Sequence, residues 1–342
     1  MIVGGLFDES SRCLMNGIIL LLYSTRINLF YCFSVPAAAL FLTRTRKENP
    51  NNVPTRKNTA NTMYEIWRPT VTESIDGLPL VTKINDLFFS NFPYDRLPDN
   101  PILQLVLRPE CVMILLIFYI VSKPIFLSIA KIIDPKATWF IFSIAVHNFL
   151  LAFFSFIVVV NTWPIVFNHY NSYGAFDTYC DPHGTLWAQS SGFGAWTIIF
   201  YVSKYWEFVD TWILVLKGKK PSFLQIYHHT GIAFTMWVGV VSQSSWLTAV
   251  VLLNSIIHTL MYTYFFIKTI SPQTQIKSAK YLTKAQIGQF FTGILYSGGV
   301  LYLGEKCDTQ SSRFGLVCLQ VYGYGLIALF MAFAKRKYQK KD

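Results

Sequence analysis

Seven apolar stretches, each close to the twenty residues a helix needs to cross a bilayer, dominate the chain from residue 108 onward. They run over about 111–130, 139–161, 192–216, 222–241, 246–267, 286–304 and 317–334. In hydrocarbon every backbone N–H and C=O must be paired within the protein, so spans of this length are read as helices. Only 14% of the residues are charged, against about 25% in soluble domains. The net charge of +11 invites a nucleic-acid reading. However, the basic residues sit in short clusters between the apolar runs and form no basic face, which argues against nucleic acid as a partner. The fold class expected is an all-α integral membrane protein with seven transmembrane helices, bathed in membrane lipid.

Lysine and arginine in the connections set the orientation. Alternate connections hold Lys131 and Lys136; Lys217, Lys219 and Lys220; Lys268, Lys277, Lys280 and Lys284; and Lys335, Arg336, Lys337, Lys340 and Lys341. The opposite connections hold only Lys306 and Arg313. By the positive-inside rule the C-terminus is expected on the cytosolic side. Cys180 and Cys307 then both fall in lumenal loops, in an oxidising compartment, and a disulfide between them is one reading; two unrelated thiols is the other. The six cysteines include no CxxC pair, so neither a zinc ribbon nor a redox motif is indicated. The expected division is an N-terminal extension over 1–107, a helical domain over 108–335 and a basic cytosolic tail over 336–342. The extension holds two apolar runs, 14–23 and 28–43, that read as a signal-like or extra hydrophobic segment before a polar linker.

Ionisable groups inside a span are costly and by default mark function or a buried pair. At 100° per residue, Lys204, Glu207, Asp210 and Thr211 share one face of the third stretch. Gln225, His228 and His229 share a face of the fourth, and Asn254, His258, Met261 and Tyr262 share one of the fifth. Gln286 and Gln289 stand at the cytosolic end of the sixth. At 1.5 Å per residue His228 lies about 12 Å from Lys220 and His258 about 15 Å from Lys268. The polar faces therefore converge on one depth, in the cytosolic half of the membrane. Each group also has a bland role open to it. Lys204 with Glu207 makes an intrahelical pair, Asn254 serves as interhelical glue, Gln286 and Gln289 serve as polar packing, and Tyr262 packs as an aromatic. An adjacent histidine pair with a third histidine at the same depth is harder to absorb into structure.

Two chemistries suit such imidazoles. A metal is the first, but six histidines are too few for a di-iron cluster, and carboxylate support would have to come from Glu207 or Asp210; the expectation is no metal. The second is nucleophilic: neutral imidazole attacks a thioester and leaves readily, dividing one acyl transfer into two easier steps. A seven-span transporter or receptor without catalysis is the competing class. It would string polar groups along a path through the membrane, whereas these stop halfway.

The run KYWEFVDTWILVLKGKKPSFLQIYHHTG (204–231) resembles the signature of the ELO-type fatty-acid elongases, the very-long-chain 3-oxoacyl-CoA synthases. HNFLL (147–151), NSIIHTLMYTYFF (254–266) and TKAQIGQF (283–290) agree in the same order. The resemblance implies a seven-helix bundle enclosing an acyl tunnel, residence in the endoplasmic reticulum, and condensation of acyl-CoA with malonyl-CoA without a bound cofactor. It implies that His228 carries the acyl group, that His258 assists and that His229 supports the box, with Lys204, Glu207 and Asp210 matching the family's run. Lys217, Lys219, Lys220 and Lys284 are expected on a rim facing the CoA phosphates. A ketoacyl reductase, a dehydratase and an enoyl reductase are the expected downstream partners, and assembly is left open, a homodimer included. The chain departs from the usual HxxHH box, with Gln225 in the first position, as in polyunsaturated-type elongases of lower eukaryotes. An amide does not titrate near neutrality, so that position is not an essential proton carrier. The tail carries Lys340 but neither partner lysine of a dilysine retrieval signal.

Overall fold

Prolines and buried polar pairs, more than apolar length, decide where the helices of this chain begin and break. The computed structural model describes residues 105–188, 190–276, 279–307 and 310–338. Every regular element among them is helical. In chain order these are α1 (Pro109–Val121), α2 (Lys123–Ala130), α3 (Thr138–Cys180), α4 (Phe193–Trp206), α5 (Phe208–Leu216), α6 (Phe223–Val241), α7 (Leu247–Ile270), α8 (Ala279–Leu303) and α9 (Gln310–Tyr338). A 3₁₀ turn, Gly304–Lys306, follows α8.

Helices α3 and α7 and the segment Ser312–Tyr338 of α9 are long and apolar enough to cross a membrane. The pair α1 and α2, bent by 47°, would make a fourth span. Pro124, in the first turn of α2, brings no N–H to the helix ladder. Ser122 at the joint accepts a bond from Trp212 Nε1 at 2.9 Å, and Phe126 stacks on the same indole at 4.6 Å. The third apolar stretch is also divided: α4 ends at Trp206 and α5 begins at Phe208, with 14 and 9 residues. Helices α6 and α8 fall short of the apolarity of a simple span. The reason is chemical, since α6 carries Gln225, His228 and His229 and α8 carries Lys280, Lys284, Gln286 and Gln289.

The second stretch grows well beyond its sequence estimate. α3 holds 43 residues, with Pro164 inside and a break at Gly174, whose φ of 84° suits glycine alone. The helix stops at Asp181 in the left-handed conformation, whose carboxylate accepts from Leu186 N at 2.9 Å and Trp187 N at 3.1 Å. Immediately before it, Cys180 forms a disulfide with Cys307, 127 residues away, tying the end of α3 to the end of α8.

At the other end of the domain, Val106 and Leu107 are already buried. The carbonyl of Val106 accepts from Tyr201 Oη at 3.0 Å, and that of Leu107 from Trp237 Nε1 at 2.8 Å. The helical body therefore includes these residues. The apolar runs 14–23 and 28–43 lie outside the described residues, as do the last four positions. Helix α9 continues through Arg336 and Lys337 to Tyr338, so the start of the basic tail is helical.

The core is packed from Phe200 and Tyr201 of α4, Met236 and Val240 of α6 and Leu247 of α7, all essentially inaccessible. Helix α9 approaches α6 closely at two glycines. A methyl group at Gly231 would collide with the ring of Tyr322, and one at Gly325 with Tyr227. The two tyrosines stack between these points at 5.5 Å. In a non-reducing peptide map, the peptides bearing Cys180 and Cys307 are expected as one cross-linked species that separates on reduction. Recovery of both as free-thiol peptides would contradict the pairing.

Candidate active site

A carboxylate buried among helices must be matched by charge and hydrogen bonds, or it will not stay ionised there. Glu207, only 2% exposed, stands at the α4–α5 break. Lys204, fully buried one turn earlier, donates to its Oε1 at 2.7 Å. The same ammonium donates to Asn254 Oδ1 on α7 at 3.1 Å and lies 3.9 Å from the centre of the Phe200 ring. His258, one turn further along α7, brings Nδ1 to 3.2 Å from Glu207 Oε1, an ion-pair distance but not an aligned hydrogen bond. Glu207 Oε2 and His258 Nδ1 are buried without hydrogen-bond partners.

The second acid of the run points elsewhere. Asp210 accepts from Tyr262 Oη at 2.6 Å through Oδ2, and its Oδ1 lies 2.8 Å from His147 Nε2 on α3. Thr211 lies 2.8 Å from Tyr119 Oη of α1 and accepts from Gln225 Nε2 at 3.0 Å. One face of the third stretch thus serves four neighbouring helices: Lys204 and Glu207 bind α7, Asp210 joins α3 to α7, and Thr211 joins α1 to α6.

Helix α6 begins at a proper N-cap, where Ser222 Oγ accepts from the Gln225 amide at 3.2 Å. That start places His228 and His229 in the second turn, facing different ways. His229 is buried, edge-on to Tyr119 and Phe208, with Nδ1 unpartnered. His228 is partly accessible and borders a cavity enclosed by α6, α7, α8 and α9. Asn254, Gln289 and Tyr322 share that wall, and Ile232, Leu253 and Leu326 make its apolar floor. His228 Nδ1 lies 2.8 Å from Tyr322 Oη.

Glu207, His228 and His258 each offer one atom to a cluster in which all three atoms lie within 4.8 Å of one another. Two imidazoles and a carboxylate therefore meet, and one of them, His228, also lines the apolar cavity. The same set has the donor chemistry of a metal site. Against a cation stands the Lys204 ammonium, already 2.7 Å from that carboxylate.

Of the residues singled out in the sequence, Lys204, Glu207, Asn254, His228, His258 and Gln289 gather here. Asp210, Tyr262 and Gln225 brace the surrounding helices, and Gln286 contacts Met261 Sδ at 3.4 Å. Lys219, Lys220 and Lys284 are exposed, with Lys217 half-buried. They lie just ahead of α6 and in the first turns of α8, the ends nearest His228 and Gln289. Tyr322 and Tyr119 carried no signal in the sequence, because each is one aromatic in an apolar run whose partner lies 94 or 92 positions away.

The sequence model of the family described as "ELO: GNS1/SUR4 family" matches residues 104–342. The chain belongs to this family. It is 40% identical over 173 residues to "Fatty acid elongase sre1" of Dictyostelium discoideum, covering 49% of this chain and 62% of that protein. It is 32% identical over 195 residues to "Fatty acid elongase 2" of Trypanosoma brucei brucei, covering 54% and 72%. It is 30% identical over 200 residues to "Long chain fatty acid elongase 2" of Caenorhabditis elegans, covering 58% and 71%. The match thus spans less than two thirds of the length of the Dictyostelium relative.

Removing one member of a buried pair strands the other, at a cost of about 3–5 kcal/mol. Lys204→Ala is expected to lower thermal stability in detergent by that order, with part of the loss recovered in the Lys204→Ala/Glu207→Gln double variant. A single variant as stable as the parent would show that the pair is not closed as described.

Proposed function

We propose that the protein is the condensing enzyme of fatty-acid elongation, joining a long-chain acyl-CoA to malonyl-CoA to give 3-oxoacyl-CoA, CoA and carbon dioxide. The observation that carries this reading is the meeting of His228 and His258 beside Glu207, with His228 itself lining an apolar cavity. The elongase names of its relatives point the same way.

In the first step the free ring nitrogen of His228 attacks the thioester carbon. The C–S bond breaks, CoA leaves as its thiolate to take a proton from water, and the acyl group stays on the ring as an acyl-imidazolium. In the second step malonyl-CoA loses carbon dioxide and its enolate carbon attacks the acyl carbon. The new C–C bond forms as the C–N bond breaks, and the electron pair returns to His228. The ring needs no net proton change across the cycle. His258, held beside Glu207, supplies the second imidazole at the developing charge. The apolar walls take the hydrocarbon chain and keep water from the loaded acyl group.

The wider setting follows from the same reading. Seven spans arise if α1–α2 and α4–α5 each count as one broken span and α6 and α8 cross despite their polar residues. The acyl tunnel extends from the cavity towards the lumen. Lys217, Lys219, Lys220 and Lys284 form a basic rim for CoA phosphates on the cytosolic side, with the C-terminus. Residence in the endoplasmic reticulum, and hand-over of the product to a ketoacyl reductase, a dehydratase and an enoyl reductase, complete the proposal.

A second reading is favoured by one observation: the Glu207, His228 and His258 atoms are close enough to share a metal ion. The two readings part on a chelator. With labelled malonyl-CoA and acyl-CoAs of varied length in membranes, two-carbon-extended products are expected, and activity is expected to survive exhaustive chelation. Loss on chelation with recovery on adding zinc would move the mechanism to a metal. His228→Ala is expected to abolish condensation and the trapping of acylated protein; full activity in that variant removes the nucleophile. Gln225→His is expected to stay active, since the amide at this position bonds Thr211 and carries no proton in the reaction.

A further inference from the structure

The neutral imidazole of His228 has two nitrogens, and only the one without hydrogen has the lone pair of a nucleophile. One of the two, Nδ1, lies 2.8 Å from the hydroxyl of Tyr322 on α9. That hydroxyl also donates towards the backbone carbonyl of His228 at 3.3 Å. A tyrosine hydroxyl has one proton. If it is given to the carbonyl, the oxygen can only accept from Nδ1, which must then carry hydrogen. In that tautomer Nε2 holds the free lone pair.

The tyrosine is placed with unusual constraint. Its side chain is 8% exposed, its ring stacks on Tyr227 at 5.5 Å, and its backbone carbonyl accepts from Tyr227 Oη at 3.2 Å. On the far side the ring occupies space that exists only because residue 231 lacks a Cβ. Gly231 sits three residues after His228 on the same helix, so the glycine that admits the ring also sets the hydroxyl beside the imidazole.

We propose that Tyr322 is a positioning residue for His228, accepting the Nδ1 hydrogen so that Nε2 is the nucleophile throughout the acyl-transfer cycle. The proposal rests on the reading of His228 as acyl carrier and adds to it the residue that selects the tautomer. The bookkeeping agrees. Nδ1–H remains in place while Nε2 gains the acyl group and then loses it, and the Tyr322 oxygen faces the positive ring of the acyl-imidazolium, where an acceptor is most useful. Tyr322 also borders the cavity. A role as cavity wall alone would govern acyl-CoA binding, whereas tautomer selection governs the chemical step.

The test is the first half-reaction in purified full-length protein: release of CoA from acyl-CoA alone, in a single turnover, with acyl-protein quantified by mass spectrometry. Tyr322→Phe keeps the ring against Gly231 and removes only the hydroxyl. It is expected to slow CoA release by about 10–100-fold, the scale on which losing the partner that orients a metal-binding histidine is felt. The KM for acyl-CoA is expected to stay within about threefold, the pattern of an interaction used in the transition state rather than in binding. Gly231→Ala, which drives the ring away by a different route, is expected to reproduce the selective loss, and it serves should the phenylalanine variant not fold. A wild-type rate in Tyr322→Phe overturns the proposal, as does a raised KM with an unchanged rate. Either result leaves the acyl-carrier reading intact provided His228→Ala forms no acyl-protein. If His228→Ala does form it, that reading fails and this one with it.

Discussion

An ionised carboxylate in the middle of an apolar bundle constrains everything near it. Glu207 is held by the Lys204 ammonium at 2.7 Å, and the same lysine reaches Asn254 on α7. Breaking such a pair costs far more than forming it contributes, so the helices that carry it cannot slide independently. The pair sits where α4 gives way to α5, and it brings His258 alongside. A second acid, Asp210, repeats the device one turn on, joining His147 of α3 to Tyr262 of α7. Together the two acids tie α4 and α5 to α3 and α7.

The opposite wall is built by shape instead of charge. Helices α6 and α9 approach at Gly231 and Gly325, and the space goes to Tyr322 and Tyr227. Small residues at a helix interface allow close approach in a setting where hydrophobicity offers little drive between helices. Beyond this contact the apolar residues of α6, α7, α8 and α9 leave a cavity, with His228 at its edge. Charge on one side and glycine packing on the other therefore leave His228 accessible at a point where most neighbours are buried.

The polar residues that build this centre also weaken the helices as membrane spans. Helices α3 and α7 and most of α9 remain apolar enough to cross, while α4, α5, α6 and α8 are short or carry amides, histidines and lysines. Such helices depend on neighbours to satisfy their polar groups. The disulfide between Cys180 and Cys307 ties one of them, α8, to the long α3 at the end away from the basic residues.

How much of this was legible beforehand differs by residue. Periodicity and hydropathy determine the helical class, the order of the apolar stretches and the sharing of a helix face by Lys204 and Glu207, because those depend on neighbours three or four positions apart. The common face expected for His228 and His229 does not hold, since adjacent helical residues diverge by about 100°. Neither the bend before Lys123 nor the break at Glu207 was legible, since local helical preference runs through both. The partners of Asp210 and Thr211, which point away from Glu207, were equally out of reach. Only tertiary structure decided that His228 faces a cavity while His229 is enclosed by Tyr119 and Phe208, and that Tyr322 bonds the first of them. The physical reason is that a side chain's hydrogen-bond partner is selected by the packing of separate helices, and a tyrosine 94 residues away leaves no periodic trace in the chain.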